Sequence, residues 1–282
     1  MVTPFTPDGE VDLAAAARLA TYLVDEQQND ALVVSGTTGE APTTTDTEKQ
    51  LLLKAVVAAV GDRAKVIAGV GTFNTRHSLA LADQAANAGA HGLLVVTPYY
   101  SKPPQTGLIA HFTAIADNTD LPILIYDIPG RTATPVQTET LIQLAGHRQI
   151  VGVKDAKSDL AASAKVIADT GLAYYAGDDA MTLPLLAIGG VGVVGTSTHF
   201  SGAATKELIL AYERGEVANA AQIHRRLLPI YTGIFRTQGV ILVKAGLKLL
   251  GRDIGGLRLP LVEATAEQIT TLAGDLRAAG LL

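Results

Sequence analysis

Cysteine is absent from this chain of 282 residues. That excludes disulfides, thiolate nucleophiles and cysteine-ligated zinc or iron–sulfur sites, and it fits the cytosol without proving it. Histidine supplies no metal pattern either. His77, His91, His111, His147, His199 and His224 show no HxH or HExxH spacing, so a metal-dependent centre has no evident ligand set. Positive charge is in short supply: Lys and Arg number 22 against 27 Asp and Glu, a net charge of -5, with no long basic stripe. A phosphate backbone would be repelled, which argues against nucleic acid as a partner. Long apolar runs are missing as well. The longest weakly polar stretch, Leu183 to Gly195, falls short of the ~20 residues a membrane helix needs and is broken by glycines. Met1-Val2-Thr3-Pro4-Phe5 lacks the basic and apolar regions of a signal peptide. A cytoplasmic location is expected.

What is present points to one compact fold. Hydrophobic residues make up 48% and charged ones 17%, ample for a core and unlike a disordered chain. Apolar runs of strand length recur at Met1–Phe5, Ala31–Ser35, Val66–Val70, Gly92–Thr97, Pro122–Tyr126, Ile150–Lys154, Ala173–Ala176 and Val191–Val194. Helical patterns lie between them, the first with Leu13, Ala16, Ala17, Ala20, Leu23 and Val24 at the spacing of one buried face. Thr45-Asp46-Thr47-Glu48 and Thr265-Ala266-Glu267-Gln268 read as capping boxes, and Thr134-Pro135 and Ser158-Asp159 as further helix starts. Gly61 and Gly171 stand where helix ends favour left-handed dihedrals.

Alternating strands and helices with right-handed crossovers predict an α/β fold, a (β/α)8 TIM barrel over residues 1–215, with residues 216–282 as a C-terminal helical region packed on the barrel or building an oligomer contact. A doubly wound open sheet is the alternative. The first expected strand has nothing before Met1 although it must pair on both sides, which points to a natural start further upstream.

One charge is out of place. Val151-Gly152-Val153-Lys154-Asp155-Ala156 is an apolar strand ending in an amine. Burial disfavours an ammonium and favours the neutral amine, the form that attacks a carbonyl to give a Schiff base. The competing reading is a lysine that snorkels to water and does nothing. Catalytic groups of a barrel come from the C-terminal ends of its strands, and these ends are polar here. Gly36-Thr37-Thr38-Gly39-Glu40 offers backbone N–H groups and two hydroxyls to a small carboxylate. Thr97-Pro98-Tyr99-Tyr100 and Tyr126-Asp127-Ile128-Pro129-Gly130-Arg131 supply phenols that can relay protons and a guanidinium that can clamp a carboxylate. The Asp178 and Asp179 carboxylates read as helix caps, and the glycine-rich Gly189 to Gly195 as backbone lying close to a ligand.

GTTGE at Gly36–Glu40, YDIPGRT at Tyr126–Thr132 and VGVKDA at Val151–Ala156 together resemble the dihydrodipicolinate synthases, within the class I, N-acetylneuraminate lyase-like aldolases, and most of all their actinobacterial members. The resemblance runs essentially end to end. It implies a cofactor-free, metal-independent lyase that condenses pyruvate with L-aspartate 4-semialdehyde. It implies Lys154 as the imine-forming residue, Thr37, Tyr126 and Tyr100 as a proton relay, with Tyr100 reaching in from a neighbouring subunit, and Thr37 and Thr38 against the pyruvate carboxylate. It further implies Arg131 on the semialdehyde carboxylate, Gly177 and Val194 lining the pyruvate pocket through their backbones, and a homotetramer built as a dimer of dimers. A related 2-keto acid lyase is the runner-up, disfavoured because the sugar-acid lyases lack the arginine. Members inhibited by lysine carry histidines, an asparagine and a glutamate in a dimer-contact pocket. Asp46, Lys49, Phe73 and His77 stand there instead beside a retained Tyr99, so weak or absent lysine feedback is expected.

Overall fold

The computed structural model describes residues 1–282. In chain order its first half comprises α1 (Leu13–Asp25), β1 (Ala31–Val34), α2 (Asp46–Val60), β2 (Lys65–Gly69), α3 (Thr75–Asn87), β3 (Gly92–Val96), α4 (Gln105–Asp117), β4 (Ile123–Asp127) and the short α5 (Pro129–Thr132). There follow α6 (Thr138–Leu144), β5 (Ile150–Asp155), α7 (Leu160–Asp169), β6 (Ala173–Ala176), α8 (Thr182–Leu186), β7 (Gly192–Val193), α9 (Thr198–Glu213), α10 (Val217–Gly233), α11 (Gly239–Leu249) and α12 (Ala266–Ala278). Sheet order equals chain order from β1 to β7, and the pairs from β2 onward are parallel. This is the α/β alternation of the (β/α)8 class, with helices left over at the C-terminus as expected. No helix is long and apolar enough to cross a membrane.

Contacts divide the chain into two compact units. In the unit formed by Ile67–Val194, the strands lose the apolar/polar alternation of a half-exposed sheet because both faces are covered. Leu93, Val95, Ile125, Val153 and Tyr174 are all buried, and α3 packs on α4, α4 on α6 and α6 on α7. In the unit formed by Met1–Val66 with Gly195–Leu282, α1 packs on α2, α9 on α10, and α12 on both α10 and α11. α1 begins where the Asp12 carboxylate accepts the Ala15 N–H at 2.8 Å. Its buried face comprises Ala15, Ala16, Leu19, Ala20, Tyr22 and Leu23, so Ala16, Ala20 and Leu23 lie inward as expected while Leu13, Ala17 and Val24 are only partly covered.

The first expected strand, Met1–Phe5, is buried but forms only one bridge, Phe5 with Val11. Two of its donors are committed elsewhere, the Val2 N–H to His199 Nε2 at 3.0 Å and the Phe5 N–H to Ile254 O at 3.2 Å, while the Met1 amino group reaches Val33 O on β1. An N–H has one bond to give, so a regular ladder cannot form there. The last expected strand shortens to Gly192–Val193, although the Val191 and Val194 N–H groups still bond to Tyr174 and Ala176. Both capping boxes form. Thr134-Pro135 does not start a helix, since α6 begins at Thr138. Asp159, after Ser158, caps α7. Gly61 is right-handed, with φ -65°, and Gly171 takes no positive φ; α2 ends on an ordinary bond from Gly61 to Val57.

Two buried histidines make this fold acid-sensitive. His199 accepts from Val2 and faces the Thr196 carbonyl at 2.8 Å, and burial holds it down at about 3. Burial likewise holds His111, edge-on to Phe112 and bonded to Thr75, at about 4. Both values lie below the unfolded value of about 6.5, so the unfolded chain takes up protons first. The contribution to stability is full above pH 6.5 and is lost as pH falls toward 4 for His111 and toward 3 for His199. At pH 5 the loss is roughly 2 kcal/mol for each histidine. The melting temperature is therefore expected to drop by several degrees between pH 7 and pH 5 in calorimetry; a flat profile would show that neither ring stays neutral.

Candidate active site

Lys154 and Tyr126 are direct register partners on β5 and β4, so their side chains leave the sheet on the same face. The Lys154 ammonium nitrogen lies 4.2 Å from the Tyr126 ring centroid. Tyr126 is buried, Lys154 half-buried, and Nζ makes no hydrogen bond or ion pair within the protein. An amine so placed is open to a carbonyl carbon, with a phenol beside it. Tyr175 on β6 is the register partner on the other side.

Backbone bonds carry the constellation onward. Gly177 N–H donates to Asp155 O at 2.7 Å and Val194 N–H to Ala176 O at 2.9 Å, which sets both beyond the ends of β6 and β7. At Gly177 only glycine fits, because a Cβ would meet the Ala156 Cβ at 2.9 Å and Asp155 O at 3.0 Å.

The opposite face of the same two strands is fastened by charge. Asp127 and Asp155, the next register pair, are both buried. The Asp127 carboxylate takes the Lys157 ammonium at 3.2 Å on Oδ2 and the Val136 N–H at 3.2 Å on Oδ1. Burial nevertheless holds Asp127 above the usual carboxylate range, with Lys157 pulling the other way. Asp155 accepts from the Lys157 N–H at 2.8 Å and the Ser163 hydroxyl at 2.5 Å, which ties the end of β5 to α7. Period-two alternation turns this clamp into orientation, since fixing the two aspartates outward fixes Tyr126 and Lys154 inward.

Arg131 sits on α5, exposed, and its guanidinium has no partner within the protein, as a clamp for an incoming carboxylate requires. Tyr100 follows β3 at φ +73° and is 93% exposed, while its neighbour Tyr99 packs edge-on against Phe73 at 5.5 Å.

Thr37 and Thr38 lie in the other compact unit, half-buried in the turn after β1. The turn closes on itself: Gly39 and Ala41 N–H groups donate to Gly36 O, and the Glu40 N–H to Thr37 O at 3.2 Å. Glu40 is left-handed, at φ +54°, and its carboxylate faces the Lys244 ammonium at 2.8 Å, both side chains almost wholly buried. The sequence reading passed over Lys244, Lys157 and the carboxylate of Glu40. The signal that singled out Lys154, a charge inside an apolar run, is equally present at Lys244 in Gly239–Leu249.

Comparison with known proteins gives the family. The model of the dihydrodipicolinate synthetase family matches residues 1–279. The 4-hydroxy-tetrahydrodipicolinate synthase of Acidothermus cellulolyticus is 64% identical over 280 residues, 99% of this chain and 91% of that protein. That of Mycolicibacterium paratuberculosis is 57% identical over 282 residues, 100% of this chain and 94% of that protein. Among solved structures, the synthase of Cyanidioschyzon merolae with lysine bound superposes with a TM-score of 0.97 at 42% identity, over 100% of this chain and 97% of the other. Matches of this length and identity embrace every motif above, and the chain belongs to the dihydrodipicolinate synthetase family.

Proposed function

We propose that this chain is a 4-hydroxy-tetrahydrodipicolinate synthase, condensing pyruvate with L-aspartate 4-semialdehyde at the first committed step of diaminopimelate and lysine biosynthesis in the cytoplasm. The observation that carries the reading is the Lys154 amine standing unpaired 4.2 Å from the Tyr126 ring. The amine adds to the pyruvate ketone and water leaves, giving the imine; loss of a methyl proton gives the enamine. The enamine carbon attacks the aldehyde, and the semialdehyde's own amino group then adds to the imine carbon, closing the ring and releasing Lys154. Thr37, Tyr126 and Tyr100 pass the protons, Thr38 receives the pyruvate carboxylate, and Gly177 and Val194 line the pocket through their backbones. Arg131 holds the second carboxylate. No metal takes part, so turnover is expected to survive a chelator.

A homotetramer built as a dimer of dimers suits Tyr100, whose ring faces outward and finds its place in a neighbouring copy. Hydride reduction in the presence of pyruvate is expected to add the mass of the reduced adduct to the peptide that bears Lys154. Semialdehyde consumption with no turnover of N-acetylmannosamine then separates the synthase from a related 2-keto acid lyase. Turnover of the sugar instead would reverse the assignment.

A further inference from the structure

We propose that Glu40 is the positioning residue for Thr37 and Thr38, and that Lys244 and Arg258 hold it there, which makes the C-terminal helical region a working part of the pyruvate site. The inference rests on the reading above, in which these threonines serve the pyruvate imine.

The local geometry sets the requirement. Glu40 occupies the left-handed region, which a side chain of its kind adopts only when its surroundings impose it. Its N–H closes the turn onto Thr37 O, and its own carbonyl accepts both the N–H and the hydroxyl of Thr43 at 3.0 Å. A rotation at Glu40 therefore moves the Thr37 peptide directly. Thr3 adds a bond from its hydroxyl to Gly39 O at 2.6 Å.

What imposes the conformation is charge brought from the C-terminal helices. Lys244 projects from α11 onto Glu40 Oε1 at 2.8 Å, and no other donor reaches that oxygen, so the lysine alone compensates it. Oε2 takes the Arg258 backbone N–H at 3.1 Å. Lys244 also donates to Gly256 O at 2.5 Å. The Arg258 guanidinium spans Gly9 O, Thr43 O and the Glu48 carboxylate at 2.5–3.1 Å. The Phe5 ring lies under both cations, 4.4 Å from Lys244 and 4.5 Å from Arg258. Both carboxylate oxygens of Glu40 thus end on α11 or on the segment that follows it. A pair this deep has no solvent to replace a missing partner, so the turn cannot keep its shape once either charge is removed alone.

A double substitution separates positioning from plain stability. Lys244→Met strands the carboxylate and Glu40→Gln strands the ammonium. Together they remove both charges, which lifts the penalty of leaving one buried ion uncompensated. All three variants are measured well below their melting temperatures. Lys244→Met is expected to raise the pyruvate KM by about tenfold or more, since small misplacements of binding groups are costly. The double variant is expected to regain the melting temperature lost by Lys244→Met while keeping the raised KM; Glu40→Gln, the mildest change, is expected to fall between. Wild-type pyruvate KM in the folded double variant, or in both single variants, overturns the proposal. The unaltered protein is carried through hydride trapping alongside. Failure to trap pyruvate on Lys154 there overturns the reading of the reaction itself, whereas trapping with unmoved KM values overturns the positioning role only.

Discussion

Lys154→Ala is expected to leave no measurable turnover and no hydride-trapped pyruvate, in a protein that melts within a few degrees of the parent. The chemical half follows from the covalent step, which has no substitute once the amine is gone. The structural half follows from its surroundings. Nζ makes no hydrogen bond or ion pair, so truncation strands no buried partner, and only the packing over the Tyr126 ring is lost. The clamp of Asp127, Asp155 and Lys157 lies on the other face and keeps both strand ends in place. Turnover surviving in this variant would exclude the imine mechanism, and a collapse of the melting temperature would show that the lysine is structural after all.

Tyr126→Phe tests the proton path while holding the shape. The ring remains beneath Lys154, the register with β5 is untouched, and only the hydroxyl disappears. Loss of a positioned general acid–base typically costs 10²–10⁴-fold, so kcat is expected to fall by about that factor. Pyruvate should still be trapped on Lys154, more slowly. A loss smaller than about tenfold would hand the proton transfer to another group.

The difference between these two variants and those at Glu40 lies in where the information sits. Lys154 was legible in the primary structure because an ammonium inside an apolar run contradicts its neighbours, and Tyr126 because it ends another such run. Lys244 carried the same contradiction yet lies in a helix remote from any strand end, so nothing along the chain connected it to the Gly36–Glu40 turn. The Thr134-Pro135 start failed for a related reason. The Val136 N–H just beyond it bonds to Asp127, nine positions upstream and outside any local capping rule, and α6 starts only at Thr138.

Periodicity along the chain was enough to establish the alternating α/β class and the C-terminal helices, and the misplaced charge was enough to single out Lys154, because these depend on local chemistry and on spacings of two and 3.6 residues. Which donors the N-terminal segment spends on His199 and Ile254, which aspartates fasten the rear of β4 and β5, and which distant cations neutralise Glu40 were decided by tertiary structure alone. A hydrogen-bond donor serves one acceptor and a buried charge must find its opposite in space, and neither condition leaves a period in the sequence.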